Sequence, residues 1–205
     1  MKNVTKGTII LTSTGLSAES VRHAAEKFFD SLLYKSVAII TTAADGKENN
    51  KYSKLTESQF KELGFNTINF IDIENKPQTD FSKYSVICVC GGNTYKLLKY
   101  VREANFKESI IKLLESNGIY IGVSAGAIIL APTVQIAALV DPEPNETGIM
   151  NLEGLGLIDF EVHPHYNPSH EKELAAYQKT TVNKVVRISD SQAVIITEKG
   201  QQVIE

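Results

Sequence analysis

Gly122-Val123-Ser124-Ala125-Gly126 fits the pattern G-x-S-x-G. A serine hydroxyl does chemistry chiefly as a nucleophile, and a sharp strand-to-helix turn is one way to present it. Flanking glycines leave room for that turn, so the hydroxyl projects from the carboxyl edge of a sheet. The amide of Ala125 then opens a helix, where a developing oxyanion is favoured. Five residues alone also fit a tight turn carrying an incidental serine. The context separates the two: "IYIG" before Ser124 reads as a strand and "AIILAPT" after it as a helix, which is what the motif demands.

A nucleophilic serine needs a base. The candidates are His23, His163, His165 and His170. His23 falls on an amphipathic stretch near the N-terminus and reads as a surface residue. His163 and His165 follow an apolar run that ends in "EVHPHYNP", and strand carboxyl ends are where open α/β sheets bind ligands. The two have the same strand parity, so alternation does not choose between them. His170 lies further into the next loop. No third His, Cys or Asp stands at metal-ligand spacing beside the pair, so no metal is expected. A third element is "CGGNTYKLL" (90–98). Gly91-Gly92 ends a strand, Asn93 or Thr94 can cap the helix that follows, and the backbone N–H of Gly92 suits a second oxyanion donor. No Walker lysine and no G-x-G-x-x-G is present, so a nucleotide cofactor is not expected.

These residues must be positioned by a frame, and the frame is periodic. Short apolar runs, "GTIILTS" (7–13), "SVAIITTAA" (36–44), "NTINFIDI" (66–73), "YSVICVCGG" (84–92) and "IYIGVSAG" (119–126), alternate with amphipathic segments. The first of these is "SAESVRHAAEKFFDSL" (17–32), with Ser17 as a candidate N-cap. A polar stretch over 45–54 leads into the helix "LTESQFKELG", and "ESIIKLLESNG" (108–118) reads as another. The expectation is an α/β fold, a mostly parallel sheet flanked by helices on both faces, in one domain over 1–205. The stretch 131–158, with three of the six prolines, reads as a long loop over one end of the sheet. "GLIDFEVHPHYNP" reads as a sixth strand, "EKELAAYQKTT" as a helix, and "VVRIS", "AVIIT" and "QQVIE" as a closing antiparallel edge with "EKGQ" as its turn. Apolar residues in "AVIIT" point weakly to pairing with a second copy, a homodimer.

Composition narrows the function classes. The chain has 205 residues, 42% hydrophobic and 22% charged, with a formal charge of −3 and no run of one sign. That balance speaks against nucleic-acid and acidic-membrane partners. No segment approaches the roughly 20 apolar residues of a membrane span, and the apolar stretch near the N-terminus is too short for an export signal. Cys88 and Cys90, two apart on one strand face, make a poor disulfide and read as buried thiols. A cytoplasmic location is the resulting expectation.

Taken together, "GGNTYKLL", "GVSAG" and "HPHYN" resemble the peptidase E family, the S51 serine peptidases that include aspartyl dipeptidase and cyanophycinase. The resemblance covers roughly residues 36–205 with the motifs in the same order. It implies a three-layer sandwich similar to class I glutamine amidotransferases, with serine in place of cysteine. It also implies Ser124 as nucleophile, His165 as general base, and the N–H groups of Gly92 and Ala125 as the oxyanion hole. The family's variable third position maps onto "ISDSQAV" and hence onto Asp190, which would orient His165. Asp141 and Asp159 are the competing acids. The implied activity is a serine-type hydrolase acting on a small peptide or amide. A related esterase or amidase, or a silent binding homologue, is the alternative. Two departures bear on specificity. The aspartyl dipeptidases resemble one another in a Gly-Glu-Thr-Arg stretch after the His turn, whereas "SHEKELAAYQK" has no arginine to pair a substrate carboxylate. The chain also ends at Glu205, which makes it look like a short member.

Overall fold

The computed structural model describes residues 6–77 and 79–205. The first five residues, where the stretch read for an export signal begins, lie outside them. The first half of the chain alternates as the periodicity expects: β1 (Thr8–Thr12), α1 (Glu19–Phe29), β2 (Ser36–Ile40), α2 (Lys51–Glu62) and β3 (Thr67–Ile71). It continues with β4 (Val86–Val89), α3 (Thr94–Glu103), α4 (Phe106–Glu115), β5 (Ile119–Val123) and α5 (Ala125–Ile128). The remainder holds β6 (Phe160–His163), α6 (Glu171–Gln178), β7 (Lys184–Arg187), β8 (Ala193–Thr197) and β9 (Gly200–Ile204).

Seven strands form one sheet in the order β3-β2-β4-β5-β1-β8-β9. The first five in that order run parallel, and β8 and β9 close the edge antiparallel. Alternation along the central strands sends side chains to two separate cores. Ile9, Leu11, Ala38, Ile40, Ile87, Val89 and Tyr120 face α3, α4 and α5. Ile10, Val37, Ile39, Val86, Cys88 and Ile121 face α1 and α2. A strand buried on both faces has no polar side to show, which is why these runs read as continuously apolar. Cys88 and Cys90 are free, buried thiols, and burial pushes the Cys90 thiol up to about 11. Among the described residues, no helix is long and apolar enough to cross a membrane.

Several expectations need correction. "GLIDFEVH" and "KVVR" do not join the main sheet; β6 and β7 pair with each other in a separate two-stranded parallel sheet. Their Phe160, Val162, Val185 and Val186 pack onto the core on the α3–α5 face. β8 takes the place beside β1 that a sixth strand would have filled. The stretch 131–158 is also more than a loop over one end. Val134, Ile136, Leu155 and Ile158 are buried in that same core. Thr133 bridges Glu153, and Arg102 on α3 donates to the carbonyls of Asn151, at 2.8 Å, and Glu153. Finally, α1 is capped at Ala18 rather than Ser17, whose hydroxyl instead accepts from Gln59. α2 begins earlier than read, with the Asn50 side chain accepting from the Tyr52 amide at 2.8 Å.

Candidate active site

The topology brings distant residues to one sheet edge. β4, β5 and β1 are neighbours and parallel, so the residues after each emerge together: Gly91-Gly92, Ser124, and Ser13-Thr14. β8 runs the other way and pairs Ala193 with Thr12, so the turn that enters it, 188–192, lies at the same edge. β6 and β7 are tied to this turn, because Ile188 donates to the His163 carbonyl and accepts from the Tyr166 amide, each at 3.0 Å.

The turn at Ser124 explains its glycines. A Cβ at Gly122 would lie 2.5 Å from the Gly126 carbonyl oxygen, and one at Gly126 would lie 2.4 Å from the Val89 oxygen. Neither approach is possible for a larger residue. Ser124 itself has φ 52° and ψ −111°, a sparsely populated conformation that persists only where its surroundings impose it. Its amide donates to the Thr12 carbonyl at 2.8 Å, and the buried Tyr120 hydroxyl donates to the Gly126 carbonyl at 2.7 Å. The helix read over "AIILAPT" is a single turn, α5. The carbonyls of Ile129 and Leu130 accept instead from the amides of Leu155 and Leu157, at 2.7 and 2.9 Å, so the chain leaves the helix to pair with 154–158.

Of the four histidines, His165 meets the serine. Its Nε2 lies 3.1 Å from the Ser124 Oγ, and its Nδ1 lies 2.7 Å from the Asp190 Oδ1. His165 has φ 56°. This left-handed turn after Pro164 breaks the strand parity it shares with His163 and sends the two rings to different places. Asp141 sits in the 131–158 segment at φ 53°, and Asp159 is exposed just before β6; Asp190 is the acid on His165. His23 is a solvent-facing residue on α1, 3.6 Å from Glu26.

His163 is buried, with its Nε2 3.1 Å from the His170 Nδ1. Burial first, then the neighbouring His170, lowers its pKa from 6.5 to about 4. The unfolded chain therefore takes up a proton below pH 6.5 that the folded chain refuses until about pH 4. His163 stabilises the fold above pH 6.5, and this contribution fades as pH falls through that window, by about 3 kcal/mol in total. In urea unfolding at pH 7 and pH 4.5, His163→Gln is expected to lose less stability on acidification than the parent; equal losses would refute this.

The glycine pair abuts the serine. A Cβ on Gly91 would lie 3.1 Å from the Ser124 Cβ. Gly92 has φ 132°, and a Cβ there would overlap the Ala43 carbonyl oxygen at 2.0 Å. This loop is wedged between 43–44 and the Ser124 turn. Among the described residues, the Gly92 and Ala125 amides make no backbone hydrogen bond outside the regular elements, and Ala125 is the first helical residue, whose N–H has no intrahelical acceptor. Asn93 caps α3 by accepting from the Lys96 amide at 2.9 Å. Its Nδ2 also donates to the Pro144 carbonyl at 2.8 Å. The Glu143 carboxylate accepts from the Thr94 amide, and from the Thr94 hydroxyl at 2.8 Å; burial raises its pKa.

Sequence reasoning missed Ser13, Thr14 and Glu143. Ser13 touches the His165 turn and Thr14 the Asp190 turn. Their only signal is a pair of hydroxyls after the first strand, which gains meaning once β1 is known to lie beside β5. Glu143 carries no local signal, since its partner Thr94 is far away in sequence.

The chain as a whole has relatives. A family model described as peptidase family S51 matches residues 9–204. The uncharacterised peptidase Lmo0363 of Listeria monocytogenes is 29% identical over 87% of this chain and 89% of its own length. The peptidase E of a Nostoc species is 25% identical over 80% of this chain and 69% of its own. A crystal structure of a candidate peptidase E protein from Listeria monocytogenes superposes with a TM-score of 0.77, at 27% identity over 96% of this chain and 97% of that one. The structure of a peptidase from an acI-B1 actinobacterium, at 19% identity and a TM-score of 0.69 over 98% of this chain and 88% of that one, shares the fold.

Proposed function

The chain belongs to peptidase family S51 and is a serine peptidase, and on that premise we propose that it hydrolyses small peptides through an acyl-enzyme on Ser124. The observation that carries this reading is the continuous contact from Ser124 Oγ through both ring nitrogens of His165 to the Asp190 carboxylate, at 3.1 and 2.7 Å. Asp190 accepts a hydrogen bond from the Nδ1–H, which leaves the Nε2 lone pair facing the hydroxyl. Ser124 attacks the peptide carbonyl carbon while His165 takes its proton. The carbonyl oxygen becomes an oxyanion, met by the amides of Gly92 and Ala125. His165 then delivers the proton to the leaving amine as the C–N bond breaks. A water, activated by the same ring, cleaves the ester and releases the acid.

Substrate choice is read from where the arginines lie, the side chains suited to pairing a carboxylate bidentately. The chain has three arginines. Arg187 is held on Glu171 at 2.9 and 3.2 Å. Arg102 is bound to the carbonyls of Asn151 and Glu153, and Arg22 lies on α1, 4.0 Å from Glu62. A carboxylate taken out of water needs a cationic partner, so the reading favours neutral small peptides over those with an N-terminal aspartate. In a dipeptide series of Asp-X, isoAsp-X and neutral X-X members, with Ser124→Ala as blank, kcat/KM is expected to be highest for a neutral member. A preference of tenfold or more for Asp-X would overturn this assignment. Failure of a fluorophosphonate to label Ser124 in folded protein would overturn the nucleophile itself.

A further inference from the structure

The His165 and Asp190 side chains are open to solvent, 48% and 67% exposed. Packing therefore does not lock their rotamers, and their placement depends on how the backbone beneath them is held. Three consecutive residues at the end of β1 reach all three members of the contact chain. The Thr12 carbonyl accepts from the Ser124 amide at 2.8 Å. The Ser13 hydroxyl accepts from the His165 amide at 2.9 Å, and points its own hydrogen at the carbonyls of Ile188 and Ser189, at 3.1 and 3.0 Å. The Thr14 hydroxyl donates to the Asp190 carbonyl at 2.8 Å.

We infer that Thr12-Ser13-Thr14 is a bracket that sets the register of nucleophile, base and acid, with Ser13 and Thr14 as positioning residues. The inference rests on the proposed triad and adds what aligns it. Ser13 carries most of the alignment. It is 2% exposed, and its single hydroxyl joins the base turn to the acid turn. The amide it receives belongs to a residue at φ 56°, a conformation an L-residue keeps only when its surroundings hold it. Without that acceptor the turn can relax, and the imidazole moves relative to Ser124. A displacement of about 1 Å at such a contact can cost about 10²-fold in rate. The acid turn has a further tie in the Ser20 hydroxyl, which donates to the Ser191 carbonyl at 3.3 Å, so losing Thr14 alone should cost less.

The test is the second-order rate constant for fluorophosphonate labelling, measured with kcat and KM on an aminoacyl p-nitroanilide. A labelling rate constant reports folded molecules only and is insensitive to how many have unfolded. Ser13→Ala is expected to lower both the labelling constant and kcat by roughly 10- to 100-fold, with KM within about threefold of the parent. Thr14→Val, on the exposed side, should lower both by roughly three- to tenfold, and it carries the test alone if Ser13→Ala does not fold. Ser13→Thr, which keeps the hydroxyl, should label faster than Ser13→Ala. A residue that only stabilised the fold would lower the melting temperature and leave both constants unchanged. If Ser124→Ala is inert while Ser13→Ala and Thr14→Val react at the parental rate, the bracket is wrong and the triad stands. If the parent is not labelled at Ser124, or Ser124→Ala still hydrolyses, the triad reading fails and the bracket with it.

Discussion

Ser124→Ala is expected to fold like the parent and to hydrolyse peptides at least ~10⁴-fold more slowly in kcat. The hydroxyl is the proposed bond-forming atom, so no partial chemistry survives its removal. What remains is whatever rate the proposed oxyanion hole of Gly92 and Ala125 gives to direct attack by water. Stability should move by less than about 0.5 kcal/mol, because alanine occupies the same backbone conformation and leaves no buried group without a partner. Ser124→Gly separates the two roles of the position. At φ 52° and ψ −111° any residue with a Cβ is strained, and glycine is not. The glycine variant should be equally inactive yet more stable than the parent by about 1 kcal/mol. Steady-state hydrolysis and urea unfolding of the three proteins check both halves. If Ser124→Gly were less stable than Ser124→Ala, the turn would not be strained. If Ser124→Ala kept more than a hundredth of the parental kcat, Ser124 would not be the nucleophile.

The glycines around Ser124 were legible because their constraint is local. A strand, a turn and a helix start are all encoded within a dozen residues, and the close contacts of Gly122 and Gly126 at 2.5 and 2.4 Å follow from the turn. The buried strands were legible too, since β2, β4 and β5 must be apolar on both faces. Strand partners were not. "FEVH" and "KVVR" have the composition of sheet strands, and nothing in it tells a strand of the main sheet from one lying over it. The 131–158 segment escaped for a related reason. Val134, Ile136, Leu155 and Ile158 are buried without helical or strand periodicity, so no pattern announces them. Strand parity could not choose between His163 and His165, because the choice is made by the left-handed residue at 165. The Ser13 contacts span 152 to 176 residues of sequence. They exist only because β1 lies beside β5 on one side and β8 on the other.

The second large effect concerns Asp190. Asp190→Asn is expected to lower kcat by roughly 10²- to 10⁴-fold, with KM nearly unchanged and the fold intact. A carboxylate can only accept, so in the proposed triad His165 carries its proton on Nδ1 and offers Nε2 to Ser124. An asparagine can instead donate its NH₂ to Nδ1. The ring then holds its proton on Nε2, pointing at the serine it should deprotonate. The backbone bond from Thr14 to the residue-190 carbonyl is untouched by the change, so the turn keeps its place. Because the Asp190 side chain is 67% exposed, water screens its stabilisation of the imidazolium, which places the expected loss toward 10²-fold. Asp190→Ala discriminates the two contributions. It removes the charge without imposing the wrong tautomer, so it should be no worse than Asp190→Asn, and the two kcat values on one substrate decide the point. Asparagine matching the parent would show that another group orients His165. Alanine falling well below asparagine would show that Asp190 acts through its contact with the ring and not through the tautomer.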